Sequence, residues 1–341
     1  MHISSRAVSP WLGLVLYGIG AAAQALPATT LFEVDFSTDA EGGCRTVGAG
    51  RIQELLDEAL ALAYTDVQLV DYDSQPETNR LLDVFVNGND AESRDKFRDT
   101  SQLVIDFLEN NVYRQSGGTP YPFCSDTWLV RYSLDDNALN SDGKEFSLVD
   151  EGPLATIRQV PEYMKARANS PGKSPYWSLK HKNYLFDYSY GVGRGYCSKT
   201  KHMGATQGVL LPASITLCPQ SFNEHRVLGS KTMTPLLSAT IPQNPSQIPK
   251  TAQRLSTLLP SSSTLFHELF HLLLGIADSV PPGWKRTEEY EITDMGGMNA
   301  EQATMNPETY VATGVAYWYT TNTPPDNRNK VEFYGFFTTQ G

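Results

Sequence analysis

The sequence predicts an α+β fold in which a small mixed sheet lies against one buried, chemically equipped helix. Three observations lead there. Two segments in the first third of the chain repeat apolar residues at helical spacing. Short apolar runs bounded by Gly, Pro, Asn and Ser are scattered between Leu81 and Leu217, as strands would be. One segment, Leu265–Leu274, is apolar on nearly every face yet holds two histidines and a glutamate.

In chain order, residues 1–25 have the layout of a signal peptide. Arg6 precedes the uncharged stretch Trp11–Ala23, and Ala23-Gln24-Ala25 is a small-x-small cleavage site, so the mature chain is expected to start near Leu26. The apolar run is shorter than the ~20 residues a membrane span needs, and no later segment is long enough, so secretion without a membrane partner is expected. Residues 26–341 read as one domain. Its N-terminal α/β part covers about 26–168, its C-terminal part, with the chemically equipped helix, about 169–341, and a Pro-, Ser- and Thr-rich loop insertion occupies 229–263.

Arg51–Ala63 places Ile52, Leu55, Leu56, Ala59, Leu60 and Ala63 on one helical face, and Ala91–Val112 does the same with Phe97, Val104, Ile105 and Leu108. Leu81–Val86 and Trp128–Leu134 are strand candidates. From Asn169 to Cys218 the helical pattern gives way to Gly, Pro, Ser and aromatics. Val209–Leu211 and Ile215–Leu217 are strand candidates there, the latter expected at the edge of the sheet, and the aromatics of Tyr184–Tyr190 alternate as in a half-buried strand. Gly191-Val192-Gly193-Arg194-Gly195 lacks the strand–loop–helix setting of a phosphate loop and reads as a glycine turn beside Cys197. Thr251–Leu259 is expected to be a short helix inside the insertion. The apolar helix Leu265–Leu274 follows, with Ser261, Ser262 or Ser263 as cap and Gly275 as stop. A last helix runs from Asn306-Pro307 to about Tyr319.

Composition narrows the function class. Of 341 residues, 40% are hydrophobic and 19% charged, the balance of a globular chain. A formal net charge of −11 without a basic cluster argues against a nucleic-acid partner. The four cysteines, Cys44, Cys124, Cys197 and Cys218, are expected to form two disulfides, with Cys44–Cys124 and Cys197–Cys218 as the simplest local pairing. No two of them have the short spacing of a structural zinc site. A monomer is expected, and no N-glycosylation sequon with a permitted middle residue is present.

The chemistry concentrates in His267-Glu268-Leu269-Phe270-His271. Residues four apart on a helix lie ~40° apart in azimuth and ~6 Å along the axis, so both imidazoles can reach one Zn²⁺. Glu268 then stands beside the metal, placed to take a proton from an attacking water. The bland alternative is a hydrogen-bonded His pair on a core helix, but burying two histidines and a glutamate among leucines and phenylalanines is costly without partners. A catalytic zinc usually takes a third protein ligand. Asp278, Glu288, Glu289, Glu291 and Asp294 are the candidates downstream. His225 reads as a surface or capping residue, and His181 and His202, among lysines, as solvent-exposed.

The last third of the chain resembles the aspzincin metallopeptidases, the deuterolysin and lysine-specific metalloendopeptidase group. In that family His-Glu-x-x-His is followed by Gly-Thr-x-Asp-x-x-Tyr-Gly, whose Asp is the third zinc ligand. Here Thr293 and Asp294 are adjacent, Gly296-Gly297 follow, Asn306-Pro307-Glu308-Thr309-Tyr310 is similar to the start of the family's last helix, and Ile215-Thr216-Leu217-Cys218-Pro219 to its strand and cysteine before the active-site helix. The likeness covers roughly Tyr184–Tyr319. It implies a zincin-like fold, one catalytic Zn²⁺ held by His267, His271 and Asp294, Glu268 as catalytic base, and a protein or peptide substrate. Two departures stand out. Gly297 occupies the position of the family's oxyanion-binding tyrosine, leaving Tyr290 and Tyr310 as substitutes. For lysine specificity, Glu308 matches one acidic pocket residue, but Val311 stands where a second is looked for. The expectation is a secreted zinc endopeptidase, with a catalytically weak binding or effector protein on the same scaffold as the alternative.

Overall fold

The computed structural model describes residues 24–72, 76–87, 90–113, 117–168, 172–190, 195–199, 201–223, 226–229, 254–275, 295, 297–322, 331–334 and 337–340. The chain is α+β. After a single helical turn, α1 (Ala28–Leu31), comes the long helix α2 (Ala49–Asp71), whose buried face continues the apolar spacing seen in residues 51–63 through Val67 and Val70. Helix α4 (Ala91–Asn110) starts on Asp90, whose carboxylate accepts the Ser93 amide at 2.8 Å, and stops at Asn111 in a left-handed conformation. The cleavage point expected after Ala25 falls on a segment tied to α2: the Ala25 amide donates to Asp57 and the Gln53 amide to the Ala25 carbonyl.

Leu81–Val86 is helical, against the expectation of a strand. Helix α3 (Pro76–Leu81) runs into a π turn at Leu82–Val86. The reason lies in the spacing: Leu81, Leu82, Phe85 and Val86 are buried while Asp83 is exposed, which is a helical stripe rather than an alternation. Asn87, at φ 49°, ends the turn and donates its amide to the Met298 carbonyl at 2.7 Å.

Two three-stranded sheets follow. The first has the order β1 (Tyr121–Phe123), β6 (Ser214–Leu217), β5 (Gly204–Gln207), with β1 parallel and β5 antiparallel to β6. It is a small mixed sheet, and β5 and β6 pack on helix α6 (Ser262–Leu274). Ile215–Leu217, expected at a sheet edge, is therefore the centre. All four residues of β6 are buried: Ile215 and Leu217 on one face, and on the other Ser214 and Thr216, whose hydroxyls accept from Gln207 Nε2 at 3.1 Å and Trp128 Nε1 at 3.0 Å. The edge is β5, whose Gly-Ala-Thr-Gln sequence carries almost no strand signal. Val209–Leu211 is a bend rather than a strand, because the buried Gln207 side chain closes it, accepting the Leu210 amide at 2.8 Å and donating to the Leu210 carbonyl at 3.0 Å.

The second sheet is antiparallel: β2 (Leu129–Arg131), β3 (Ser174–Ser178) and β4 (Asn183–Asp187), with α5 (Pro161–Ala168) beside it. Its alternating aromatics Trp177, Tyr184 and Phe186 form their own small core with Ile157 and Val160. His181, expected to be exposed, is half-buried. Its Nδ1 lies 2.7 Å from Ser178 Oγ and its Nε2 2.8 Å from the Pro212 carbonyl, which joins the two sheets. His202 is likewise tied in, to the Tyr196 carbonyl at 3.1 Å. The disulfides are Cys44–Cys124 and Cys197–Cys218, as expected. They close separations of 80 and 21 residues, about 4.5 and about 3 kcal/mol in chain-entropy terms. Among the described residues no helix is long and apolar enough to cross a membrane. The chain continues through α7 (Ala300–Met305) and α8 (Pro307–Thr321) to a two-stranded hairpin, β7 (Val331–Tyr334) and β8 (Phe337–Gln340).

The main core is shared by α2, α4, α6 and α8. Phe97 from α4, Tyr310 from α8 and Phe270 from α6 stack in series, with ring centroids 4.5 and 4.3 Å apart. Each such ring or leucine, fully buried, stabilises by about 1.5–3 kcal/mol. One carboxyl lies in this core. Asp66 of α2 is fully buried, takes a hydrogen bond from Ser101 Oγ at 3.3 Å, and faces Gly314 of α8, where a Cβ would stand 3.1 Å from Asp66 Oδ1. Burial pushes its pKa well above the usual carboxyl range. The folded state thus keeps the proton that the unfolded chain releases near pH ~4. Its contribution to stability is full below that pH and declines as pH rises toward the folded value, by up to about 1.4 kcal/mol per pH unit. Asp66→Asn should remove that decline. Thermal melts at pH 5 and pH 8 should show a smaller drop for the variant than for the parent; equal drops would mean that Asp66 is not held neutral.

Candidate metal centre

Helix α6 forms because its sequence is a run of good helix formers with aromatics one turn apart, Phe266 and Phe270, packed edge to face at 5.0 Å. The expected serine cap is spent otherwise: Ser261 Oγ accepts the Arg226 amide at 3.0 Å, and the Ser261 amide donates to the Arg226 carbonyl. Gly275 ends the helix at φ 84°, a conformation a residue with a Cβ adopts only at a cost.

On this frame His267, Glu268 and His271 are 4–5% exposed. The two imidazoles lie one turn apart with ring centroids at 5.0 Å. Glu308, in the first turn of α8, reaches across and places Oε2 3.1 Å from His267 Nδ1. An ionised carboxylate accepts from Nδ1–H, the arrangement that leaves Nε2 of a neutral imidazole to face an ion. This is how a metal-binding histidine is oriented and made more basic by its neighbour. The stack of Phe270 on Tyr310 explains why α8 arrives in this position, since Tyr310 lies two residues beyond Glu308.

The opposite wall is the edge strand β5. Thr206 Oγ1 donates to Glu268 Oε2 at 2.7 Å and lies 3.2 Å from the Glu268 carbonyl oxygen. Two residues earlier, on the same face of the strand, Gly204 has no side chain. A Cβ there would stand 2.8 Å from Glu268 Oε1 and 2.8 Å from Thr264 Cγ2.

Two methionines pack against the start of α8. Met295 and Met298 are buried, with Thr309 Oγ1 3.9 Å from the Met295 sulfur and Asn306 Nδ2 3.7 Å from that of Met298. Both partners sit at the start of α8, next to Glu308. Asn306 thus supports the helix start through Thr309 and Met298 rather than by capping.

These donors fit zinc chemically: two buried imidazoles, one oriented by a carboxylate, with a second carboxylate beside them. Among the described residues no group of three His, Cys, Asp or Glu side chains is arranged to hold a metal. Any third ligand would come from outside them. Asp294 lies outside the described residues, as do Asp278, Glu288, Glu289, Glu291, Tyr290 and His225. Gly297 is described and exposed. Tyr310, named as a substitute oxyanion donor, is fully buried, and its hydroxyl donates to the Thr304 carbonyl at 2.6 Å. It is a packing residue, and burial raises its pKa. Val311 is likewise core.

The structure brings together His267, Glu268 and His271, and adds two residues whose roles the sequence did not reveal. Glu308, matched to a specificity pocket, is instead a partner of His267. Thr206 had no signal at all, because a threonine in a Gly-Ala-Thr-Gln segment looks like any other edge residue. The chain matches no family model, no curated protein and no solved structure.

Proposed function

We propose that the chain is a secreted zinc endopeptidase on a zincin-like, aspzincin-related scaffold, hydrolysing peptide bonds with Glu268 as general base. The observation that carries this reading is the Glu308–His267 hydrogen bond at 3.1 Å, the kind of contact that would orient one histidine of a His-Glu-x-x-His helix toward an ion. His267 and His271 would hold the ion through Nε2. Asp294 is proposed as the third ligand, supported by its neighbour Met295, which is buried against Thr309, the residue after Glu308. Bound zinc supplies a Lewis acid that polarises the scissile carbonyl and lowers the pKa of its water.

The chain's own groups do the rest. An extended peptide adds its backbone to the open edge of β5, which is paired on one side only among the described strands, beside Glu268. Glu268 takes a proton from the attacking water and returns it to the leaving amine. Secretion is supported by the two disulfides, which fit an oxidising compartment.

The test is zinc content by elemental analysis together with digestion of casein and a peptide library, with and without a chelator. The expected result is about one zinc per chain and cleavage that a chelator abolishes. Zinc without cleavage supports the second reading, a binding or effector protein on the same scaffold, which the glycine at 297 and the engaged Tyr310 hydroxyl favour. A chain that binds no zinc overturns both.

A further inference from the structure

Strand β5 meets α6 at two positions on one face of the strand, Gly204 and Thr206, and both border the same carboxylate. Thr206 donates to Glu268 Oε2 at 2.7 Å. Gly204, opposite Leu217 in the register, leaves the space that Glu268 Oε1 and Cγ occupy. A glutamate has three rotatable bonds, and fixing it otherwise relies on packing alone. Here one oxygen is held by a hydroxyl and the other lies where only a glycine permits it.

We propose that Thr206 is a positioning residue that holds the Glu268 carboxylate in its working orientation, with Gly204 as the space that lets it lie there. The proposal rests on the function proposed above for Glu268. It ties catalysis to the substrate strand: the edge expected to pair with the peptide also carries the group that aims the base. The hydroxyl has a single proton: it lies on the 2.7 Å contact to Glu268 Oε2, with the Glu268 carbonyl oxygen at 3.2 Å as its minor, shared acceptor.

The experiment compares Thr206→Val, Thr206→Ser and Gly204→Ala, alone and combined with Glu268→Gln or Glu268→Ala. A base displaced by about 1 Å loses about 10²-fold. Thr206→Val should therefore lower kcat about 10–100-fold with KM and bound zinc unchanged, and Thr206→Ser should restore most of it. Gly204→Ala, which pushes the same carboxylate from the other side, should lower kcat similarly. In Glu268→Gln, Thr206→Val should lower residual turnover no further. A second readout needs neither metal nor turnover. In the zinc-free chain, Thr206→Val should lower the melting temperature in the parent but not in Glu268→Ala. The proposal is overturned if Thr206→Val keeps full kcat, if serine fails to rescue, or if the valine variant costs as much without Glu268 as with it. Should the parent cleave nothing, the proposed function fails, and the melting-temperature comparison alone decides whether Thr206 holds Glu268.

Discussion

Glu268→Gln is expected to keep its full zinc content while losing about 10²–10⁴-fold in peptide hydrolysis, the usual contribution of a positioned proton acceptor. The substitution is close to isosteric. The glutamine oxygen can still accept the Thr206 hydroxyl that Glu268 Oε2 accepts now, and the helix around it is held by Phe266, Phe270 and their core partners. What disappears is the ability to take a proton. Zinc content by elemental analysis and steady-state cleavage of a fluorogenic peptide, on the same preparation, separate the two effects. A variant that still cleaves at the parental rate would remove Glu268 from the mechanism; one that loses zinc as well would make it a ligand or a structural support instead.

Glu308→Ala should weaken zinc binding about 10–100-fold, the range seen when the outer partner of a ligating histidine is removed. Glu308 is 9% exposed and its Oε2 is 3.1 Å from His267 Nδ1, so no water-exposed substitute stands ready for it. Glu308→Gln should fall between parent and alanine, since the amide oxygen can still accept from Nδ1 but without the charge that raises the basicity of the ring. Competition with a chromogenic chelator reads the affinity. Melting of the zinc-free proteins shows whether the alanine variant is still folded. An affinity equal to the parent's would mean that the contact packs α8 onto α6 without tuning a ligand.

Where sequence reading succeeded and failed follows from what each kind of residue reports. The helices at residues 49–71 and 91–110 were legible because a 3.6-residue apolar stripe repeats often enough to be unambiguous, and those at 262–274 and 307–321 because a long apolar run is bounded by start or stop residues, Gly275 for the one and Asn306-Pro307 for the other. Leu81–Val86 was misread because six residues are too few to tell a stripe from a run. The sheet was half legible: the centre strand stood out by Ile215 and Leu217, while the edge strand next to Glu268, made of Gly, Ala, Thr and Gln, did not. At the site, His267, Glu268 and His271 announce themselves by spacing within one helix. Thr206 and Glu308 meet them only through tertiary packing, across 62 and 41 positions of chain, and no local pattern encodes such a meeting.

The shared core also constrains how such a protein can mature. Many secreted hydrolases are held inactive by an N-terminal segment that is later cut away. Here α2 and α4 pack directly on α6 and α8, and Phe97 of α4 is one layer of the stack that ends on Phe270, one residue before His271. The loop after β1 is bolted back to the segment preceding α2 by Cys44–Cys124. Excision of these helices would strip one side from the very helix that carries the histidines. On the proposed reading, any latency is therefore relieved without excising α2 or α4.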